Sequence, residues 1–340
     1  MSNWLERVGA LWGAKSAAKI PPPAVRTTGR PSAPPPRSVA KPVPNPLASA
    51  LTSMPHAAPE IDLQQPLFEW LIGSGPALDT SLHDSEKVLL AQLDAVLASD
   101  VSRNALLPRA PAVIPQLMNS LRDEAQSSGA LAQRIAKDPH LVAEVIRMAN
   151  GAQTRGGAAV VDLAEAIGRL GIEGLRRAIA RVVLKPMFVG AADSLSARCA
   201  DRVWQHSEAQ ATACQHEAVA RGLAPFEGYL TGLMHNIGWS AALRAIDRSN
   251  GGAPSHFSRA FIHEFESRRE RFFALLVMPW QLTESLTALG AEMLERGGLA
   301  ATRSPLGQAL HAANEKASRE MLGDAVAASD PAVEVSIITH

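Results

Sequence analysis

Cysteine is scarce in this sequence, and its placement excludes several classes of site. The 340-residue chain has two cysteines, Cys199 and Cys214, and they form no CxxC pair. A disulfide framework or a cysteine-based zinc site needs more cysteines at closer spacing. We therefore expect two reduced thiols buried in an apolar core, in preference to a disulfide or a metal role.

Long apolar runs and an excess of either charge are also missing. No stretch reaches the roughly 18 apolar residues that a membrane-spanning helix needs. The segment 1–20 lacks the apolar core and cleavage site of a secretory signal. Lys plus Arg number 33 and Asp plus Glu number 33, so no net field draws the chain to nucleic acid or anionic lipid. We expect a soluble cytoplasmic protein that does not act mainly on nucleic acid, a local basic patch being the open alternative.

Aromatic residues and strand-like alternation are rare as well. Phe, Trp and Tyr make up only 4% of the chain, so Leu, Ile, Val and Ala must fill most of the core. Clear period-2 alternation is absent before the tail, where Val333–Ile338 is either a frayed strand or unstructured. Helical signals are frequent instead: Asp138-Pro139 begins a helix, and Asp162 caps another that Gly171 closes. The sequence predicts an all-α, multi-helix bundle.

Proline is concentrated near the N-terminus. Residues 21–60 hold 12 of the 24 prolines and few large apolar groups. Proline removes backbone hydrogen-bond donors, and a segment with so little apolar surface does not form a packed core. We interpret it as a disordered, partly polyproline-II tether, with a ligand for a proline-binding module as the less favoured alternative.

The segment 1–20 carries an amphipathic pattern. On a helix, one face would present the candidate partner-binding residues Trp4, Leu5, Val8, Leu11 and Trp12. Such a face suits docking on a partner protein, contact with a membrane surface or packing against the bundle. A weakly ordered tail with no function is an equal alternative.

The remaining chain divides into three predicted parts. Residues 61–99 form a short helical prelude, residues 100–320 the main helical domain, and residues 321–340 a C-terminal tail. In the prelude, apolar side chains from Val88 to Val96 recur at helical spacing.

Five sequence runs occur in an order typical of one family. Three of them give a proline-marked helix, a helix begun by Asp-Pro and a helix ending in Leu-Gly; they are LPRAPAVIPQLMNSL (107–121), IAKDPHLVAEVIRMAN (135–150) and DLAEAIGRLGIEGLRRAI (162–179). Two more follow, VWQHSEAQATA (203–213) and YLTGLMHNIGWSAAL (229–243). Together they resemble the HDOD family, the HD-related output domains descended from metal-dependent phosphohydrolases. The resemblance implies an HD-type helical bundle with a role in bacterial signal transduction.

The resemblance also assigns residues to the former metal site. It implies that catalytic HD enzymes hold one or two metal ions with a His, a His-Asp pair and a later Asp. Here His206 and His235 match the two histidines, while Asn236 and Asn314 stand at the two Asp positions. An amide oxygen has no charge to balance a divalent ion and does not readily bridge two ions. We therefore expect no catalytic residue, metal or cofactor here, but a buried polar cluster.

The favoured hypothesis is a non-catalytic signalling module that acts by binding a partner protein. Two alternatives stay open. One is a metal-dependent phosphohydrolase acting on a nucleotide or a cyclic dinucleotide, and the other is a ligand sensor that uses the vestigial pocket, with or without a single metal ion. The downstream HHE and GYP elements of the HD-GYP subgroup are missing.

Two further features bear on these hypotheses. Trp239 follows Gly238 where catalytic relatives often carry a base or a lysine, which indicates packing or closure of the old site. The arginines Arg268, Arg269 and Arg271 lie among glutamates on one predicted helix. We interpret them as a solvated helix surface with internal ion pairs, and phosphate binding as the less favoured alternative.

Overall fold

The structure, a computed structural model, describes residues 63–114, 132–133, 135–151, 159–249, 254 and 256–329. Within these ranges the chain forms eleven α-helices of defined bounds and three short 3-10 helices, and it has no strand. The predicted all-α fold is therefore confirmed. The amphipathic segment 1–20, the proline-rich segment 21–60 and the candidate strand Val333–Ile338 lie outside the described residues.

The helices are numbered here in chain order. They are α1 (Gln64–Ile72), α2 (Asp84–Leu97), α3 (Asp100–Leu106), α4 (Pro139–Gly151), α5 (Leu163–Leu184), α6 (Leu195–Ala220), α7 (Pro225–His235), α8 (Ile237–Asp247), α9 (Arg259–Val277), α10 (Glu284–Arg296) and α11 (Pro305–Ser329). The 3-10 helices are Lys185–Met187, Met278–Trp280 and Leu299–Ala301. None of the described helices is long and apolar enough to cross a lipid bilayer.

The long helix α6 is the axis of the bundle. It contacts α7, α11, α8 and α1, while α9 packs against α8, α10, α2 and α1. Helices α4 and α5 pack on each other, and α5 joins them to the rest through α7. Both cysteines lie on α6 and are buried and free, as the sequence predicted.

Local signals in the sequence begin and end several of these helices. The Asp162 carboxylate accepts a hydrogen bond from the backbone N–H of Glu165 at 3.3 Å, which caps α5. Gly171 then breaks α5 with a positive φ of 62°, a conformation that costs glycine little. The Asp138 carboxylate accepts from the N–H of His140 at 2.9 Å, immediately before Pro139 opens α4. The predicted start and stop signals are confirmed.

The few aromatic residues are concentrated where α1 meets the main bundle. The ring of Phe68 on α1 packs edge-on against Phe257, Phe261 and Phe265 at centroid distances between 5.3 and 6.3 Å. Trp239 on α8 completes the cluster, 5.7 Å from Phe68. Fully buried aromatic pairs are among the most stabilising contacts in a core. The prelude helix α1 is therefore integral to the core of the bundle.

A buried carboxylate fixes the second prelude helix, α2, to α9. Glu86 is 1% exposed and accepts hydrogen bonds from the Ser258 N–H at 2.6 Å and the Ser258 hydroxyl at 2.7 Å. It also accepts from the N–H of His83 at 2.9 Å, at the start of α2. Ser258 itself caps α9. One carboxylate thus organises the first turns of two helices that are distant in sequence.

Candidate functional site

Close helix contacts bring the two predicted histidines to the centre of the bundle. His206 and Gln210 lie one turn apart on α6, and His235 ends α7. Helix α7 approaches α6 so closely that a Cβ added at Gly232 would lie 2.7 Å from the backbone of Gln210 and Ala211. Only glycine permits this separation, and it sets the distance between His235 and α6.

His206 is fully buried, and both of its ring nitrogens have a partner. The Asn236 side-chain amide lies 2.8 Å from Nδ1, and the Ser318 hydroxyl lies 3.2 Å from Nε2. Since Ser318 donates its own proton to the carbonyl of Asn314 at 2.7 Å, its oxygen is free to accept from His206. The ring is therefore the Nε2–H tautomer, and Nδ1 accepts from the Asn236 amide.

His235 is also fully buried, and both of its ring nitrogens have a partner. Its Nε2 lies 3.2 Å from Nη1 of Arg269, and its Nδ1 lies 2.9 Å from the side-chain amide of Gln210. A guanidinium only donates, so Nε2 must accept and the ring proton is on Nδ1. That proton is satisfied when the Gln210 amide turns its oxygen towards the ring and the Asn314 amide turns with it, so that the Asn314 nitrogen donates to the same Gln210 oxygen. The ring also meets Phe273 edge-on at 5.0 Å.

Asn314 reaches the same cluster from α11. Its side-chain amide lies 3.2 Å from that of Gln210, and the residue is half-buried. The structure thus brings together the four positions that the sequence named, namely His206, His235, Asn236 and Asn314. Three further members, Gln210, Ser318 and Arg269, were missed from the sequence.

Arg269 differs most from its sequence interpretation. Its side chain is 1% exposed, so its assignment to a solvated helix surface was wrong. It forms a two-pronged ion pair with Glu266, whose Oε2 accepts from Nε at 2.9 Å, and it lies 3.5 Å from Glu270. The guanidinium also lies over the Trp239 ring at 6.0 Å from its centroid. A Cβ at Gly238 would lie 2.4 Å from the Arg269 carbonyl oxygen, so this glycine lets α9 approach α8 and place the arginine here.

Burial and the Arg269 charge keep both imidazoles neutral. Loss of solvation, followed by repulsion from Arg269, lowers the pKa of His206 from 6.5 to about 4, against a smaller opposing effect of the Asn236 hydrogen bond. The same causes, with a further contribution from His206, lower the pKa of His235 well below 6.5. In contrast, Arg269 stays charged, because Glu266 and Glu270 raise its pKa despite complete burial.

The carboxylates near these histidines in sequence are used elsewhere. Glu208, two residues after His206, pairs with Arg181. Asp247 accepts hydrogen bonds from the N–H groups of Leu195 at 2.7 Å and Ser196 at 3.2 Å, at the start of α6. In the part of the chain that the structure describes, no carboxylate is hydrogen-bonded or ion-paired to either histidine, and no group of three or more His, Cys, Asp or Glu residues is arranged to hold a metal.

The cluster does not fit the metal ions that the HD architecture implies. A divalent ion needs free nitrogen lone pairs and negative oxygens. Here all four imidazole nitrogens face protein groups. The two positions that the resemblance assigns to carboxylates hold the amides of Asn236 and Asn314. The Arg269 guanidinium places a fixed positive charge against His235. Chemically, the site is a neutral hydrogen-bonded network with an internal cation.

Comparisons with known proteins agree with the fold. The family model described as the HDOD domain matches residues 107–290, more than half of the chain. A crystal structure from Shewanella amazonensis SB2B, provisionally named a metal-dependent phosphohydrolase, is 20% identical with a TM-score of 0.50, covering 68% of this chain and 83% of that one. An HDOD domain protein of unknown function from Geobacter sulfurreducens is 19% identical with a TM-score of 0.45, at 68% and 78% coverage. No curated protein gives a significant match.

Proposed function

Because this chain belongs to the HDOD domain family, we propose that it is a non-catalytic regulatory module of bacterial signal transduction, which acts in the cytoplasm by binding partner proteins. The bundle provides rigid helical surfaces, and the buried polar cluster at its centre stabilises the fold. The proposal assigns partner binding to the candidate residues Trp4, Leu5, Val8, Leu11 and Trp12.

One observation carries the non-catalytic part of the proposal. The Arg269 guanidinium lies 3.2 Å from Nε2 of His235, at the position assigned by resemblance to a metal-binding histidine. It occupies the lone pair that a metal would use, and it repels any second cation in a region of low dielectric. Asn236 and Asn314 cannot supply the missing negative charge. This arrangement of a guanidinium and two amides supports a function without HD-type phosphohydrolase chemistry.

The vestigial-pocket sensor is also less well supported than the partner-binding module. His206, Gln210, His235 and Asn236 are each 0% exposed. A ligand would have to separate α6, α7 and α9 before it touched any of them. This would break the network that joins these helices.

A hydrolysis assay tests the non-catalytic proposal. The full chain is incubated with bis(p-nitrophenyl) phosphate and Mg²⁺, Mn²⁺ or Fe²⁺, beside His235→Ala and the control His311→Ala, whose side chain is 42% exposed. We expect the same background rate from all three proteins. A metal-dependent rate that His311→Ala keeps and folded His235→Ala loses would overturn the proposal.

A further inference from the structure

A cavity lies away from the histidine cluster. It has a volume of about 440 Å³ and is enclosed by the end of α3, the segment before α6 and the C-terminal end of α8. Its lining includes Leu106, Arg109, Val189, Ser194, Arg244 and Arg248. This volume falls within the range of pockets that hold small organic ligands.

The cavity holds more positive than negative charge. Three guanidinium groups line it, and Asp247 is the one carboxylate among its lining residues. Asp247 is engaged by the backbone N–H groups of Leu195 and Ser196. Among the described residues, none of Arg109, Arg244 and Arg248 forms an ion pair.

Hydrogen bonding gives the three arginines different roles. Arg244 donates to the carbonyls of Leu106, Met187 and Val189 at 2.7 to 2.9 Å, so it holds the walls together. Arg109 donates to the Pro186 carbonyl at 2.7 Å, and Arg248 donates to the Ala105 carbonyl at 2.6 Å. A guanidinium has five N–H donors, so these two exposed arginines keep donors for a further acceptor. Carbonyl partners also leave their charges unneutralised.

The electrostatics of the cavity favour an anionic ligand. Burial first, then repulsion from Arg109, lowers the pKa of Arg244; attraction to Asp247 opposes this shift, and repulsion from Arg248 adds to it. Gly190 lets the wall approach the start of α6, since a Cβ there would lie 2.5 Å from the Ser196 hydroxyl oxygen and 2.4 Å from the Ala197 nitrogen.

The rest of the lining is apolar. Leu106, Pro108, Val189 and Ala191 face the same space as the arginines. Inorganic phosphate alone would leave these side chains uncovered. A ligand with an anionic end and an apolar or aromatic body would contact both parts.

We propose that this cavity binds a small phosphorylated organic molecule of nucleoside-monophosphate size, with Arg109 and Arg248 pairing its phosphate and the apolar wall covering its body. The site shares no lining residue with the histidine cluster, and a role of its ligand as an input signal rests on the proposed function. Arg244 is a positioning residue that maintains the walls. Paired arginines recognise phosphate through two-pronged, charge-assisted hydrogen bonds.

Calorimetric titration of the full chain at low salt tests this proposal. The probes are AMP, adenosine and inorganic phosphate. The test variant R109Q/R248Q removes two cavity charges, and the control R296Q/R319Q removes two charges from α10 and α11. We expect AMP to bind the wild type and the control more tightly than phosphate does, adenosine to bind far more weakly, and the test variant to lose about tenfold or more in AMP affinity per arginine.

A second variant, V189E, tests the proposal even if the double mutant R109Q/R248Q does not fold. Val189 is 48% exposed, so V189E adds a negative charge at the cavity without removing an arginine or a core side chain. We expect it to weaken AMP binding at an unchanged melting temperature. No AMP binding to the wild type, or equal affinity in V189E and the wild type, would overturn the proposal. Adenosine binding as tightly as AMP would also overturn it, since the phosphate would then contribute nothing.

Discussion

At the scale of single residues, the central finding is a cation that the protein itself supplies, buried beside two neutral histidines. His206 and His235 match the metal-binding histidines of HD enzymes by resemblance only, and here protein groups contact all four ring nitrogens. The guanidinium of Arg269 supplies positive charge from within the chain, and Glu266 balances it. Such a buried ion pair is not itself strongly stabilising, yet removing one member is costly.

Loss of Arg269 is expected to destabilise the bundle strongly. Arg269→Ala leaves Glu266 and Glu270 near an empty space and removes the donor to His235, which should lower the free energy of unfolding by about 3–5 kcal/mol. Urea denaturation followed by circular dichroism measures this. Arg271→Ala on the same helix, at an exposed position, serves as control with an expected change within about 0.5 kcal/mol. Equal effects of the two substitutions would mean that the buried arginine is not part of the network.

The low pKa of His206 predicts acid sensitivity. In the folded state the ring stays neutral down to about pH 4, whereas in the unfolded chain it is protonated below about 6.5. The unfolded state then binds more protons between these values, so stability is present above pH 6.5 and is lost as the pH falls towards 4. The difference corresponds to about 3 kcal/mol for this one group.

The pH dependence of unfolding by urea, measured between pH 7.5 and 4, tests this assignment. His206→Gln should give a flatter profile than the wild type, because Gln does not titrate. His311→Gln should keep the wild-type profile. Should His206→Gln leave the slope unchanged, burial of this imidazole in the neutral form is contradicted.

The sequence identified part of this cluster, and the reasons for the rest are physical. His206, His235 and Asn236 lie in a recognisable motif. Gln210 could have been found, because it follows His206 by one helical turn and so shares its face. Arg269 lies one turn after the buried Phe265, a spacing that indicates an inward position. Its neighbouring glutamates on the helix made a solvated surface the simpler interpretation.

At the scale of helices, close packing positions the site. Glycines on α7 and α8 allow these helices to approach α6 and α9, and the side chains of the cluster follow from that geometry. Helix starts at Asp138 and Asp162 were evident from the sequence because capping is local. The Glu86–Ser258 contact was not, since 172 residues separate the two.

Gly232→Ala tests the close approach of α6 and α7. The added methyl group would lie 2.7 Å from the backbone of Gln210 and Ala211, so the helices must separate. We expect a loss of about 1–3 kcal/mol in the free energy of unfolding, measured by urea denaturation. Gly323→Ala on α11 is the matched control, since no atom lies within 4 Å of its added Cβ. That control should stabilise the chain by about 0.5 kcal/mol, and a similar gain at Gly232 would show that the contact is not tight.

At the scale of the whole molecule, the family assignment and the altered centre together favour a module that works through its surfaces. The order of motifs indicated the family and the helical bundle. Sequence patterns did not show how α1 and α2 join the core, because Phe68 and Glu86 meet Phe257 and Ser258, which lie far along the chain.

The role proposed for the N-terminal aromatic residues is tested by affinity capture. The full chain is compared with the variant W4A/W12A and with the chain lacking residues 1–60, and captured proteins are identified by mass spectrometry. We expect at least one partner to be retained by the full chain and lost from both altered proteins. Identical partner sets for all three would remove Trp4 and Trp12 from the mechanism.

Metal content is the most direct measure of whether the histidine cluster holds a divalent ion. The purified full chain is incubated with Mn²⁺, Fe²⁺ or Zn²⁺, separated from free ions and analysed by inductively coupled plasma mass spectrometry beside His235→Ala. Since Arg269 and the amides occupy the ligand positions, we predict substoichiometric metal that is the same in both proteins. One ion per chain in the wild type, lost in folded His235→Ala, would contradict the assignment of this site as a metal-free structural network.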